Sequence, residues 1–249
     1  MLKYADFLAD NTMAKHQNEF KYKHFTGEVI LWTVRWYCQF AISYRDLVIM
    51  AAERGLKLSH TTPMRWVHEY APKLAKKIKP HLKQSNDSYR LDETYLKIKG
   101  IWKYLYRAVD SDGNTLDWML SAKRDKKAAK RFFKKMLGNA HCKSPRVINT
   151  DKAKAFPPAF EESQGEGVIP KESKHRSQKY MNNIQEQDHR PTKRRVRQSQ
   201  WFQSFHTAKK TIDGYEAMHM LRKGQVKRLA PTDVRANVKF IESLFGIAA

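Results

Sequence analysis

The stretch YRLDETYLKIKG, residues 89–100, decides how the rest of the chain is read. Aromatic, branched and alternating residues ending at a glycine predict a β-strand over 89–99. Yet Asp92 and Glu93 sit near its start. Acids are poor strand formers, and a carboxylate on a half-buried strand is costly without a partner. Side chains alternate along a strand, so only one of the two can join any one site. An ion pair from Asp92 to Lys97, Lys99 or a nearby arginine is the plain answer; a metal ion is the other.

Working outward, WKYLYRAVD (102–110) and NTLDWMLS (114–121) are further strand candidates, linked by tight turns at Gly100 and SDG (111–113). Residues 125–138, DKKAAKRFFKKMLG, predict an amphipathic helix with Ala128, Ala129, Phe132, Phe133, Met136 and Leu137 inside. PRVIN (145–149) reads as a short buried strand. A helix follows over 153–163, a weaker strand near 167–172, and a helix from about 182. The order is compatible with an α/β fold, a mixed sheet with helices on both faces, as in ribonuclease-H-like domains.

The acids in unusual places then line up. Asp151 follows VINT, at the carboxyl end of the fourth strand, where α/β sheets expose their sites. Glu186 lies in NNIQEQDHRPTKRR. Alone, Asp151 reads as a helix N-cap and Glu186 as one solvated helix charge. Together with Asp92, they form a set that needs cations to coexist, and two Mg²⁺ ions on oxygen ligands would serve. On an ideal helix Glu186 shares a face with Arg190 and Lys193, while Pro191 is expected to kink or restart that helix.

The amino-terminal part is helix-like. Val29, Trp32, Trp36, Tyr37 and Phe40 follow helical spacing. Ser43–Asp46 reads as a capping box starting a second helix with Leu47, Met50 and Ala51 inside, and Gly55 as its C-cap. A third helix starts near Thr61, with Pro63 in its first turn and Trp66, Val67 and Tyr70 inside. The pattern is that of a helix-turn-helix over about 43–70, with Thr61, Thr62 and Arg65 as reading residues; a plain three-helix bundle has the same pattern. The predicted organisation is a helical DNA-binding domain over 1–72, a basic linker over 73–87, a catalytic domain over 88–225 and a tail over 226–249.

Charge gives the partner. The chain carries 48 Lys and Arg against 25 Asp and Glu, a net +23. Such an excess asks for a polyanion, and DNA or RNA is the natural candidate; the helix-turn-helix pattern, with its third helix entering a major groove, points to double-stranded DNA. Eight Lys or Arg fall in 123–135 and eight in 174–197, among them Arg190, Lys193, Arg194 and Arg195 as candidate phosphate contacts. Trp201, Phe202 and Phe205 read as core or subunit packing rather than base stacking. The longest apolar run, residues 29–42, is too short for a bilayer and contains Arg35, so no membrane role is expected. Cys38 and Cys142 fit no zinc spacing and suit a reduced cytoplasm.

LDETYLKIKGIWKYLYRAVDSDGNTLDWMLS, INTDKAKAF and KYMNNIQEQDHRPTKRR closely resemble the DDE transposases of bacterial insertion sequences, specifically the insertion-sequence-six family. The resemblance spans roughly residues 20–225. It implies a ribonuclease-H-like core and Mg²⁺ dependence, with Mn²⁺ able to substitute. It implies recognition of terminal inverted repeats, 3′-end cleavage and strand transfer into target DNA, with cointegrate products. It implies a homodimer or larger assembly acting at the bacterial nucleoid. Asp92, Asp151 and Glu186 match the family's catalytic acids, and Lys193 its basic residue seven positions after the Glu. The alternative is a non-catalytic helix-turn-helix repressor.

Overall fold

The structure is a computed structural model, and it describes residues 19–177, 193–196 and 202–247. Three helices open it: α1 (Gly27–Gln39), α2 (Tyr44–Ala52) and α3 (Thr61–Ile78), the last running into a 3₁₀ turn at Lys79–His81. Then come β1 (Ser88–Ile98), β2 (Ile101–Asp110), β3 (Thr115–Ser121), α4 (Lys126–Leu137), β4 (Val147–Thr150), α5 (Phe156–Gly165) and β5 (Lys174–Ser177). Two helices, α6 (Phe205–Arg222) and α7 (Val234–Leu244), follow.

The local chemistry explains the boundaries. Ser43 and Asp46 form the reciprocal capping box that starts α2, and Gly55, at φ +74°, turns the chain after it. The β1–β2 hairpin closes through Lys99 and Gly100, both with positive φ (49° and 76°), the backbone of a type I′ turn whose twist matches the strands. Asp125 caps α4 by accepting from the Ala128 amide.

The sheet order is β3-β2-β1-β4-β5. β1 to β3 are antiparallel, while β4 and β5 run parallel to β1. This mixed five-stranded order, with helices on both faces, is the ribonuclease-H-like fold. One face packs Tyr89, Leu91, Tyr106 and Ala108 against α4 and α5, through Phe132, Phe133, Phe156 and Phe160. The other face places Leu96, Ile98 and Leu105 in a core shared with α1, α3, α6 and α7. Each such fully buried side chain contributes about 1.5–3 kcal/mol through removal from water. The buried ion pair Arg107–Glu216 (2.7 Å, both side chains 1 % exposed) ties β2 to α6 within that core. Its geometry sets orientation more than net stability, because both charges are desolvated.

Several expectations change. Residues 73–87 are not a linker: α3 continues through Ile78, and Leu74, Ile78 and Leu82 are buried. Leu82 forms a bridge with Val226, so this segment is held by the chain beyond α6. The basic residues hid an amphipathic helix whose lysines point outward. Residues 226–249 are not simply a tail, since α7 buries Phe240 and Ile241. The weaker strand lies at 174–177, not 167–172, because Gly167, at φ +73°, turns the chain after α5. In α1 the buried stripe is Ile30, Leu31, Val34, Tyr37 and Cys38; Phe40 is 47 % exposed and falls beyond the helix end. The helix expected from about 182 lies outside the described residues.

Candidate active site

β4 is the short strand that positions the site. Its parallel register with β1 ends at the pair Leu91–Thr150. The next residues along the two segments are Asp92 and Asp151. Adjacent strands lie about 4.8 Å apart, so this register sets the two acids side by side where β4 stops. The end of β4 is pinned from several sides. Asn149 Nδ2 donates to the Tyr89 carbonyl (2.9 Å), Thr150 Oγ1 bonds His175 Nε2 (2.9 Å), and Ser177 Oγ donates to the Asp151 carbonyl (3.1 Å).

Each acid is oriented by backbone. Oδ1 of Asp92 accepts from the Glu93 amide (2.8 Å), and Oδ1 of Asp151 from the Ala153 amide (3.1 Å). Asp151 is therefore no helix N-cap; α5 begins five residues later, after Ala155. Burial pushes the Asp151 carboxyl above its ordinary range, and the charge of Asp92 pushes it further, against the pull of its hydrogen bond and of Arg124. The Asp151 carboxylate, half-buried beside a second acid, is in a site short of positive charge.

Sequence reasoning missed Arg124. It had counted this residue among the phosphate contacts of the basic run 123–135. Its guanidinium instead pairs with Glu93, donates to the Tyr95 hydroxyl (2.9 Å) and stands 4.0 Å from Asp151 Oδ2. The Glu93 side chain is 2 % exposed. Burial raises its pKa, Arg124 lowers it, and the charges of Asp151 and Asp92 raise it again. Two adjacent acids on one strand thus take separate roles by alternation: Asp92 stands beside Asp151, and Glu93 holds the arginine. The signal was present in the question of what balances Glu93; no spacing rule pointed to a residue 31 positions on.

The remaining expected residues fall as follows. Glu186 and Arg190 lie outside the described residues, as do Trp201 and Pro191. Lys193 and Arg194 are exposed. Arg195 is a correction: it is 4 % exposed, donates to the Tyr215 carbonyl (3.4 Å) and lies over the Tyr215 ring, so it ties its segment to α6 instead of facing a phosphate. Thr61 and Thr62 are half-buried, with hydroxyls bonded to Ser59 Oγ (2.9 and 3.1 Å), and Arg65 is exposed on the first turns of α3. Eight residues separate α2 from α3, more than the usual three or four of a helix-turn-helix. In the basic run, Lys126 and Lys130 pair with Glu162, and Lys135 with Asp117, so much of its charge is neutralised internally.

A parallel pair of carboxylates at the carboxyl end of β4, on a ribonuclease-H-like sheet, defines a class: enzymes that break and join the phosphodiester bonds of nucleic acids. Comparison with known proteins agrees. The family model described as a DDE domain matches residues 86–225. The chain is 40 % identical over 206 residues to a transposase for the insertion sequence-like element IS431mec from Staphylococcus aureus strain Mu50, covering 83 % of this chain and 89 % of that one. It shows the same identity and coverage against the transposase for insertion sequence element IS257 in transposon Tn4003, also from Staphylococcus aureus. A solved structure of the human T-lymphotropic virus 2 integrase catalytic core with magnesium aligns at 22 % identity and a TM-score of 0.36, over 44 % of this chain and 68 % of that one. The chain belongs to the DDE transposases of insertion sequences, in the insertion-sequence-six family. It is a DNA-cleaving and strand-transferring enzyme.

The donor set fits a divalent ion. Hard carboxylate oxygens on neighbouring segments suit Mg²⁺ or Mn²⁺ rather than a soft metal. Among the described residues no group of three or more acid, histidine or cysteine side chains could hold a metal. The third expected acid, Glu186, belongs to the segment not described. No helix among the described residues is long and apolar enough to cross a membrane.

Proposed function

We propose that the chain recognises the terminal inverted repeats of an insertion sequence, cuts their 3′ ends and joins them to target DNA, using Asp92, Asp151 and Glu186 as metal-holding acids. The observation that carries this reading is the β1–β4 register, which brings Asp92 and Asp151 together although 58 residues separate them. Mg²⁺ held by these acids, as two ions, would supply the charge that lowers the barrier to attack and stabilises the leaving oxygen. In the cut, a water oxygen bonds to phosphorus and the 3′ oxygen leaves, giving a 3′-hydroxyl and a 5′-phosphate. In the transfer, that hydroxyl attacks a target phosphodiester, whose own 3′ oxygen leaves. Asp151 is held for this by the Ala153 amide and Ser177, and Asp92 by the Glu93 amide.

Thr61, Thr62 and Arg65 at the start of α3 are the proposed readers of the ends, with Lys193, Arg194 and Arg190 on the phosphates. A dimer or larger assembly, cointegrate products and action on the bacterial chromosome in the cytoplasm complete the proposal. Support comes from the family and from the net charge of +23.

The test is a labelled end-DNA assay with Mg²⁺. Asp151→Asn is expected to bind DNA as the parent does, while cleavage and strand transfer drop by at least a hundredfold. Undiminished transfer by this variant would overturn the assignment. DNA binding by the parent with no product, whatever the metal, would favour the repressor reading.

A further inference from the structure

On the α4 face, β1 and β2 present a column of paired side chains: Glu93 beside Tyr106, Tyr95 beside Tyr104, and Lys97 beside Trp102. The inner end is buried. The outer end runs past β4 and past the helices, so Tyr95 is 45 % exposed and Trp102 53 %. Two aromatic rings this exposed cost free energy in water unless something covers them.

The rings form an ordered strip. Tyr95 meets Trp102 edge-on (ring centroids 6.4 Å, planes at 84°) and Tyr104 at 5.4 Å. Cations are interleaved with them. Lys97 Nζ lies 4.8 Å from the centre of the Trp102 ring, and the Arg124 guanidinium 5.9 Å from that of Tyr95. Lys99 occupies the hairpin turn, and residues 94–109 contain no acid. A purely apolar partner would bury the Lys97 and Lys99 ammonium groups without an anionic partner. A nucleic-acid strand matches both features, with bases for the rings and phosphates for the lysines.

The strip lies on the face of β1 opposite the Asp92 side chain and reaches the acid pair through Arg124, past the end of β4. Arg124 touches Tyr95 at one end and stands beside Asp151 at the other. Along β1, Tyr95 is three residues from Asp92 and Trp102 is opposite a residue five away. At about 3.3 Å per residue, this spans about 10–17 Å. Three to five nucleotides at about 3.4 Å each cover the same length.

We propose that Tyr95 and Trp102, with Lys97, form a stacking platform for the unpaired nucleotides that flank the cut phosphodiester. This rests on the reading of the chain as a DNA-cutting enzyme and names where the displaced strand goes. The platform holds that strand after its bases separate from the duplex, so it acts on tailed DNA and not on duplex DNA.

The experiment measures binding of the full chain by fluorescence anisotropy, in chelator, so that nothing is cut. The probes are a blunt duplex of about thirty base pairs and the same duplex with a five-thymidine 5′ tail. The expected result is that the parent binds the tailed duplex about tenfold more tightly. Trp102→Ala is expected to lose that increment and to bind the blunt duplex unchanged. Trp102→Phe, which keeps a ring, is expected to retain most of it. An equal affinity of the parent for both probes overturns the platform, as does an equal loss on both by Trp102→Ala. A change of oligomeric state in Trp102→Ala by sedimentation velocity overturns it too and assigns the strip to a second copy of the chain. Failure of the platform alone leaves cleavage and strand transfer by the parent in the Mg²⁺ end-DNA assay intact, whereas failure of the DNA-processing reading shows as DNA binding with no product in that assay.

Discussion

At the scale of the residue, the neighbours Asp92 and Glu93 show how a strand divides labour. One carboxylate is presented beside Asp151, and the next anchors an arginine on the opposite face. Arg124 acts as a positioning residue: it neutralises a buried acid and keeps a cation 4.0 Å from Asp151. Replacing it leaves Glu93 buried and unpaired, a cost of about 1–3 kcal/mol or more. Arg124→Ala is therefore expected to lower the thermal midpoint by several degrees. The double variant Arg124→Ala with Glu93→Gln is expected to regain much of that stability without regaining strand transfer. Calorimetry and the end-DNA assay separate the two effects, and full activity in Arg124→Ala would exclude the positioning role. The cysteines give a second residue-level expectation. Burial pushes the Cys38 thiol up to about 12. The folded chain keeps this proton while the unfolded chain loses it near pH 9, so the contribution to stability is whole below that pH and declines between about 9 and 12. At pH 8, a disulfide reagent is expected to leave Cys38 untouched until denaturant is added.

At the scale of the element, α6 is the helix most enclosed by its neighbours, with buried positions on nearly every side. Gly214 is where it crosses α1 and α3. A Cβ there would collide with Cys38 Sγ and lie 2.7 Å from Ala71 Cβ. The crossing is close because the residue has no side chain. Gly214→Val is expected to cost about 1–3 kcal/mol through overpacking, read as a lower denaturation midpoint with unchanged slope. β3 and α4 illustrate the reverse case, in which charge replaces apolar contact. Asp117 on the sheet binds Lys135 and Asn139, so the lysine-rich helix is docked by an ion pair as well as by its phenylalanines.

At the scale of the whole molecule, the amino-terminal helices, one sheet face and the two carboxyl-terminal helices share one hydrophobic core. Phe20, near the start of the described chain, stacks on Tyr70 and meets Phe245, near its end. Helices α1–α3 and the sheet are therefore expected to unfold together. Circular dichroism, dominated by the helices, and near-ultraviolet signals from the sheet aromatics should give coincident transitions. Limited proteolysis should spare residues 73–82, where a linker would be cut first. Two separate transitions would show independent domains.

The sequence alone determined the elements whose signals are local. The three antiparallel strands, the capping box at Ser43 and the amphipathic α4 follow from alternation, side-chain capping and helical periodicity over a few residues. The positions of Asp92 within a strand and Asp151 at a strand end were also legible, because acids stand out there. Only the tertiary structure decided that residues 73–82 are core. A basic helix looks like a linker until the face opposite its lysines meets α6. Only it, too, turned Arg195 inward and matched Glu93 with Arg124. Composition marks an arginine as a phosphate ligand by default, but burial next to a carboxylate far along the chain is a property of packing. Local free energies are written in neighbouring residues, whereas pairing between distant charges appears only once the sheet has brought them together.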